Sequence, residues 1–188
     1  VALDDPGLVV LPTHRLVRGI DTKRVSGIPT ALKRYWELTE LGNADSIEDL
    51  TAQLAKAGSD GTVAAVVVTN KHRWLARLND EGHARMRQIE EPAAWQHLDV
   101  AVAHELIVDA ALGIARDAIA TGDQITYTHD VGEALAAVRS GAAQVAILLN
   151  PTRPDQVRDV AQAGAVMPQK STYFYPKLIT GVVINPVW

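Results

Sequence analysis

The densest run of hydrogen-bonding and aromatic side chains in the sequence is Met167-Pro168-Gln169-Lys170-Ser171-Thr172-Tyr173-Phe174-Tyr175-Pro176-Lys177. Three aromatic residues stand consecutively between two prolines and two lysines, and the prolines disfavour a long helix. Two ammonium groups with neighbouring hydroxyls can hold a phosphate or carboxylate while a ring stacks on a base or covers an apolar group. The pattern also serves a structural end. On an extended segment successive side chains alternate sides, so Tyr173 and Tyr175 can face one way while Phe174 anchors the core. A second concentration of cations runs from Thr13 to Arg34, where Arg15, Arg18, Lys23, Arg24, Lys33 and Arg34 are opposed only by Asp21. Such charge is either solvated surface or the lining of an anion site shared by the two stretches. In the second reading Thr13, His14 and Arg15 supply donors from the end of a first strand, and Lys170, Ser171, Thr172, Tyr173 and Lys177 supply the rest.

Other chemistries find no support. Gly164 to Ser171 approaches the phosphate-loop pattern, but Gln169 stands where the second glycine belongs and Pro168 lacks the N–H such a loop aims at phosphate. His104-Glu105 opens like a zinc-protease helix, yet Val108 occupies the position of the second histidine. No serine sits in a glycine-flanked nucleophile elbow, and no metal or cofactor is assigned.

The elements that must position these residues follow from periodicity and capping. Leu8 to Leu11 and Thr62 to Thr69 read as buried strands, and Asn70-Lys71 turns the latter into a hairpin with His72 to Leu78. Ser46 caps a helix with Ile47, Leu50 and Leu54 at helical spacing, up to Gly58. Asp99 begins a helix that stops near Gly113. Ile125 to Thr128 is a strand, and Asp130 starts a helix with Glu133 in capping-box position, ending near Gly141. Gln144 to Leu149 is a strand, followed by a helix with Pro154 in its first turn and Gly164 as its cap. Thr180 to Asn185 is a last strand. A strand-helix-strand-helix succession predicts an α/β fold: a mixed sheet with packed helices, at least one parallel crossover, and Ile125 to Thr128 adjacent to Gln144 to Leu149. The polar stretch from Asp80 to Trp95 predicts two lobes, residues 1–90 with the basic segment and hairpin, and 91–188 with the Lys/Ser/Thr/Tyr motif.

At Pro12-Thr13-His14-Arg15-Leu16, Leu98-Asp99 with His104-Glu105, Ile125-Thr126-Tyr127 with His129-Asp130, and Met167 through Lys177 with Thr180-Gly181, the chain resembles domain-of-unknown-function family 1015, a set of uncharacterised, mainly prokaryotic proteins. The resemblance covers most of the chain. That family usually carries an upstream Asp-Gly-His-His-Arg motif, similar to one in ParB-like proteins, a superfamily that includes free serine kinases. The motif is absent from this sequence. The resemblance therefore implies the later part of a longer protein, with any upstream kinase-like centre not carried over.

Composition bounds these readings. The 188 residues are 47% hydrophobic and 21% charged, which suits an ordinary folded domain and excludes wholesale disorder. A net charge of -4 disfavours a protein that coats nucleic acid. No cysteine is present, so thiol catalysis and thiolate metal sites are excluded. The longest apolar run, Val63 to Val68, is far short of the roughly 20 residues of a spanning helix. The chain starts at Val1 with Asp4 and Asp5 rather than a basic and apolar leader, so the expectation is a cytoplasmic protein cut from a longer one. Its expected role is to contribute to a small anionic-ligand or nucleotide site, binding without turnover by itself, within a full-length protein that is a phosphotransferase by analogy. The alternative is a non-catalytic interaction module whose aromatic loop anchors a partner, the missing N-terminal portion or a second copy of the chain.

Overall fold

The computed structural model describes residues 7–42, 46–114 and 123–177. Two strands form a small ribbon, β1 (Val9–Leu11) paired antiparallel with β8 (Tyr173–Tyr175). Six form the main sheet: β2 (His14–Val17), β3 (Trp36–Leu41), β4 (Ala64–Thr69), β5 (Arg73–Leu78), β6 (Ile125–Thr128) and β7 (Val145–Leu149), in the spatial order β3-β5-β4-β7-β2-β6.

Both faces of this sheet are covered, and the strand period decides which side chain goes where. Ala65 and Val67 of β4 and Val145, Ile147 and Leu149 of β7 join one core. Beneath it lie α1 (Thr22–Leu32), α3 (Asp80–Met86), α4 (Ala93–Gln96) and α5 (Asp99–Ala103). The alternate residues Ala64, Val66, Val68, Ala146 and Leu148 join a second core under α2 (Ile47–Ala57) and α6 (Val131–Ser140). The chain continues through α7 (Pro154–Gln162), which adds Val160 to the first core.

The local signals hold where they depend on a few neighbouring residues. Ser46 and Asp49 form a reciprocal capping box, and Gly141 closes α6 at φ 78°. At Asp130 the box is rewired. Its carboxylate accepts from Glu133 N–H at 2.8 Å, but the Glu133 carboxylate takes the Thr128 hydroxyl at 2.6 Å instead of the cap's own N–H. Gly58 does not turn left-handed. It stands where a Cβ would lie 2.7 Å from the Asn150 amide, so close approach explains it.

The topology corrects two expectations. Among the described residues every hydrogen-bonded strand pair is antiparallel, and Ile125 to Thr128 is not adjacent to Gln144 to Leu149. β6 and β7 run the same way in one sheet with α6 between them, but β2 is inserted between the two strands and pairs antiparallel with each. The expected parallel crossover is therefore split by a strand from far upstream. For the same reason the stretches 1–90 and 91–188 do not build separate sheets: β7 pairs with β4 and β2. The polar stretch read as a boundary supplies α3 and α4, with Met86 and Trp95 in the first core. The proposed strand Thr180 to Asn185 lies outside the described residues.

Candidate anion site at the head of the central strand

β1 leads through Pro12 and Thr13 directly into β2, and β1 also pairs with β8. That connection carries the Met167 to Lys177 stretch to the head of β2, beside the ends of β6 and β7. Thr152 donates to the Ser171 carbonyl at 2.9 Å, and the Ser171 hydroxyl donates to the Pro168 carbonyl, so Ser171 is buried and committed to shaping the loop. Tyr173 packs on His129 with ring centroids 3.8 Å apart, and the Lys177 ammonium lies 4.9 Å from the Tyr173 centroid. Thr172 and Phe174 are half-buried, and Phe174 belongs to neither core; Tyr175 is 57% exposed.

Arg15 is the centre of this arrangement and is only 1% exposed. Its guanidinium donates to the carbonyl of Thr13, to the carbonyl of Lys170 at 3.3 Å and to His104 Nε2 at 3.3 Å, and it lies 5.7 Å from the centroid of Tyr127. Three of its five N–H groups are thus spent. No carboxylate among the described residues forms an ion pair with it. Burial pulls its pKa down to about 10, with Tyr127 acting the other way, so it remains charged at neutral pH. The contact with residue 170 runs through the backbone carbonyl, while the Lys170 side chain is exposed.

Beside it stand two buried donors. His14 accepts the Leu149 N–H on Nδ1 at 3.2 Å, which leaves the proton of the neutral ring on Nε2. That Nε2 and the Thr13 hydroxyl oxygen are buried with no hydrogen-bond partner among the described residues. Burial first, then Arg15 and His129, lowers the His14 pKa to about 4. The head of β2 thus carries a cation with no carboxylate partner among the described residues and two neutral donors, groups of the kind that hold an oxyanion.

The two stretches read from the sequence meet at the head of β2, but their residues play altered roles. Thr13, His14 and Arg15 are buried rather than lining an open surface, and Ser171 is structural. Sequence spacing offered no sign that His129 would pack on Tyr173 or that His104 would receive Arg15, because those contacts span 44 and 89 residues. Local structure explains the second. His104–Asp109 winds as a π-helix, with Ala110 N–H reaching the Glu105 carbonyl at 3.1 Å and Leu112 N–H the Ile107 carbonyl at 2.9 Å. Such segments are frequent at functional sites.

Lys170 adopts φ 57°, the left-handed region that costs a side-chain-bearing residue roughly 1 kcal/mol. Lys170→Gly is accordingly expected to unfold at higher urea than Lys170→Ala, by about 0.5–1 kcal/mol, since only alanine retains the Cβ clash. Equal midpoints would remove the strain from this account.

A half-buried carboxyl occupies the same sheet end. Asp99 opens α5 and accepts from the Asn150 amide at 3.5 Å, and burial raises its pKa to about 6 against the pull of Asn150 and Arg153.

No family model matches this sequence, and no curated protein matches it. Solved structures do. One is a free serine kinase mutant in complex with AMP, at 12% identity and a TM-score of 0.51, covering 93% of this chain and 56% of that one. Another is a conserved hypothetical protein from Pyrococcus furiosus, at 15% identity and a TM-score of 0.49, covering 93% of this chain and 59% of that one. The chain spans little more than half the length of these structures. The kinase likeness establishes a shared α/β fold. No helix among the described residues is long and apolar enough to cross a membrane.

Proposed function

We propose that this chain forms a binding site for the oxyanion of a small ligand, a nucleotide in the leading form, at the head of β2. The observation that carries the reading is the buried Arg15 guanidinium, which has no carboxylate partner among the described residues, with buried unpaired donors on its chain neighbours Thr13 and His14. An uncompensated buried charge is unfavourable, and a bound anion relieves it. Lys170 and Lys177 supply exposed cations for further phosphate oxygens, and Tyr173 offers its ring or hydroxyl. The AMP carried by the kinase of similar fold supports a nucleotide as ligand and a phosphotransferase as the complete protein. The interaction-module reading needs exposed, nearly coplanar aromatics, whereas Tyr173 packs against His129 at 43° and Phe174 is half-buried.

The test is calorimetric titration of the chain with AMP, ADP and inorganic phosphate. Arg15 is unsuitable as the probe because it also braces the fold, so the variants are Thr13→Val, Lys170→Ala and Lys177→Ala. Saturable binding is expected, weakened about tenfold by Thr13→Val through loss of one hydrogen bond. Either lysine substitution should weaken it less and reduce its salt dependence. Absence of saturable binding by all three ligands, or binding indifferent to all three substitutions, would overturn the proposal.

A further inference from the structure

A cleft lies at the opposite end of the sheet, where β7 begins. It has a volume of about 890 Å³, within the usual range for small-molecule pockets. Roughly 15 Å of strand separates the two ends. Its walls come from α1, β3, the β4–β5 turn and the C-terminal end of α6.

Two features give this cleft a chemistry. The first is a stacked ring pair on its lining: His72 lies over Trp74 at 5.3 Å and 20°, and His72 Nδ1 is fixed by the Glu40 carboxylate at 2.8 Å. Trp74 belongs to the core, so the pair rests on a rigid base. The second is the wall made by Val25 and Pro29 of α1. Proline in a helix interior costs about 3 kcal/mol and withdraws the donor that the Val25 carbonyl would have received. Helix regularity does not explain a proline there, whereas a rigid apolar wall does. The lining carries Lys33 and Lys71 against the single carboxylate of Glu40, which His72 already engages, so the rim favours an anion.

We propose that this cleft binds a small aromatic carboxylate, its ring against the His72–Trp74 pair and the apolar wall, its carboxylate toward Lys33. This site is independent of the anion site at the head of β2. The probes are naphthoate and its neutral counterpart naphthylmethanol, titrated calorimetrically into the 188-residue chain. Naphthoate is expected to saturate at one per chain. Lys33→Glu should weaken naphthoate about tenfold and leave naphthylmethanol unchanged. Ser26→Trp, which fills the cleft from an exposed position on α1, should abolish binding of both, with Thr22→Trp as a second obstruction should the first variant melt below the wild type. AMP titrated into the same variants should be unaffected, which separates a failure here from a failure of the anion site. Lack of saturation by naphthoate, undiminished binding after obstruction, or equal affinity for the neutral alcohol would overturn the proposal.

Discussion

Arg15→Ala is expected to lower the unfolding free energy by about 3–5 kcal/mol, the largest single-residue effect in the site. Three buried or half-buried acceptors lose their donor together: the carbonyls of Thr13 and Lys170 and the His104 ring nitrogen. A cavity is left against Tyr127 as well. The opposing effect is relief of a buried charge that burial already disfavours, as the lowered Arg15 pKa of about 10 records. Arg15→Met separates the two contributions. It fills most of the volume and removes the charge, so it should recover about 2 kcal/mol relative to alanine, with the lost hydrogen bonds accounting for what remains. Urea unfolding of the three proteins measures this directly. An alanine variant within about 1 kcal/mol of wild type would mean that Arg15 is not the brace between β2, the π-helix and the Lys170 loop. A ligand that stabilises the wild type by mass action should then give little stabilisation to either variant.

Why Arg15 could be nominated as a ligand residue from sequence but not recognised as a brace is instructive about legibility. Ser46, Asp130, Pro154, Gly141 and Gly164 each announced a helix end because capping is settled within a few residues. β2 announced nothing. His14-Arg15-Leu16-Val17 places a histidine and an arginine in a buried strand, and their burial is possible only because partners arrive from residues 104, 149 and 170. α1 was hidden by Gly27 and Pro29, both poor helix formers. The adjacency expected of β6 and β7 rested on the strand-helix-strand succession, which does not show that a distant strand inserts between them. Val63 to Val68 is apolar throughout because helices cover both faces of this sheet, and such runs ordinarily signal parallel strands. Antiparallel pairing under two-sided burial has the same sequence appearance, so hydropathy could not reveal that β2 splits the β6–α6–β7 unit. The motif at Met167 to Lys177 was legible as a concentration of donors and rings because its chemistry is local, while the β1–β8 ribbon that carries it to β2 depends on a partner more than 160 residues away.

Asp99→Asn and His14→Gln are expected to change the acid response of the fold in opposite directions. His14 has its pKa lowered from 6.5 to about 4, chiefly by burial, so over that interval the unfolded chain binds a proton that the folded chain refuses. Its contribution is complete above pH 6.5 and is lost as the pH falls toward 4, by about 3 kcal/mol in full. Asp99 has its pKa raised from 3.8 to about 6, again chiefly by burial, so there the folded chain holds the extra proton. Acidification from pH 6 toward 3.8 therefore relieves a penalty of similar size, about 3 kcal/mol. In the wild type the two nearly cancel. The His14→Gln variant, which retains an acceptor for the Leu149 N–H, should gain about 3 kcal/mol relative to wild type between pH 6.5 and 4, and Asp99→Asn should lose about as much. Taking each variant as a difference from wild type removes groups that titrate in common. Urea midpoints at half-unit pH steps provide the measurement, and differences that stay flat across the interval in both variants would place these groups in solvent rather than in the fold. The same depressed pKa keeps the His14 Nε2 donor neutral down to about pH 4, so anion binding at the head of β2 should draw its acid sensitivity from the ligand and not from His14.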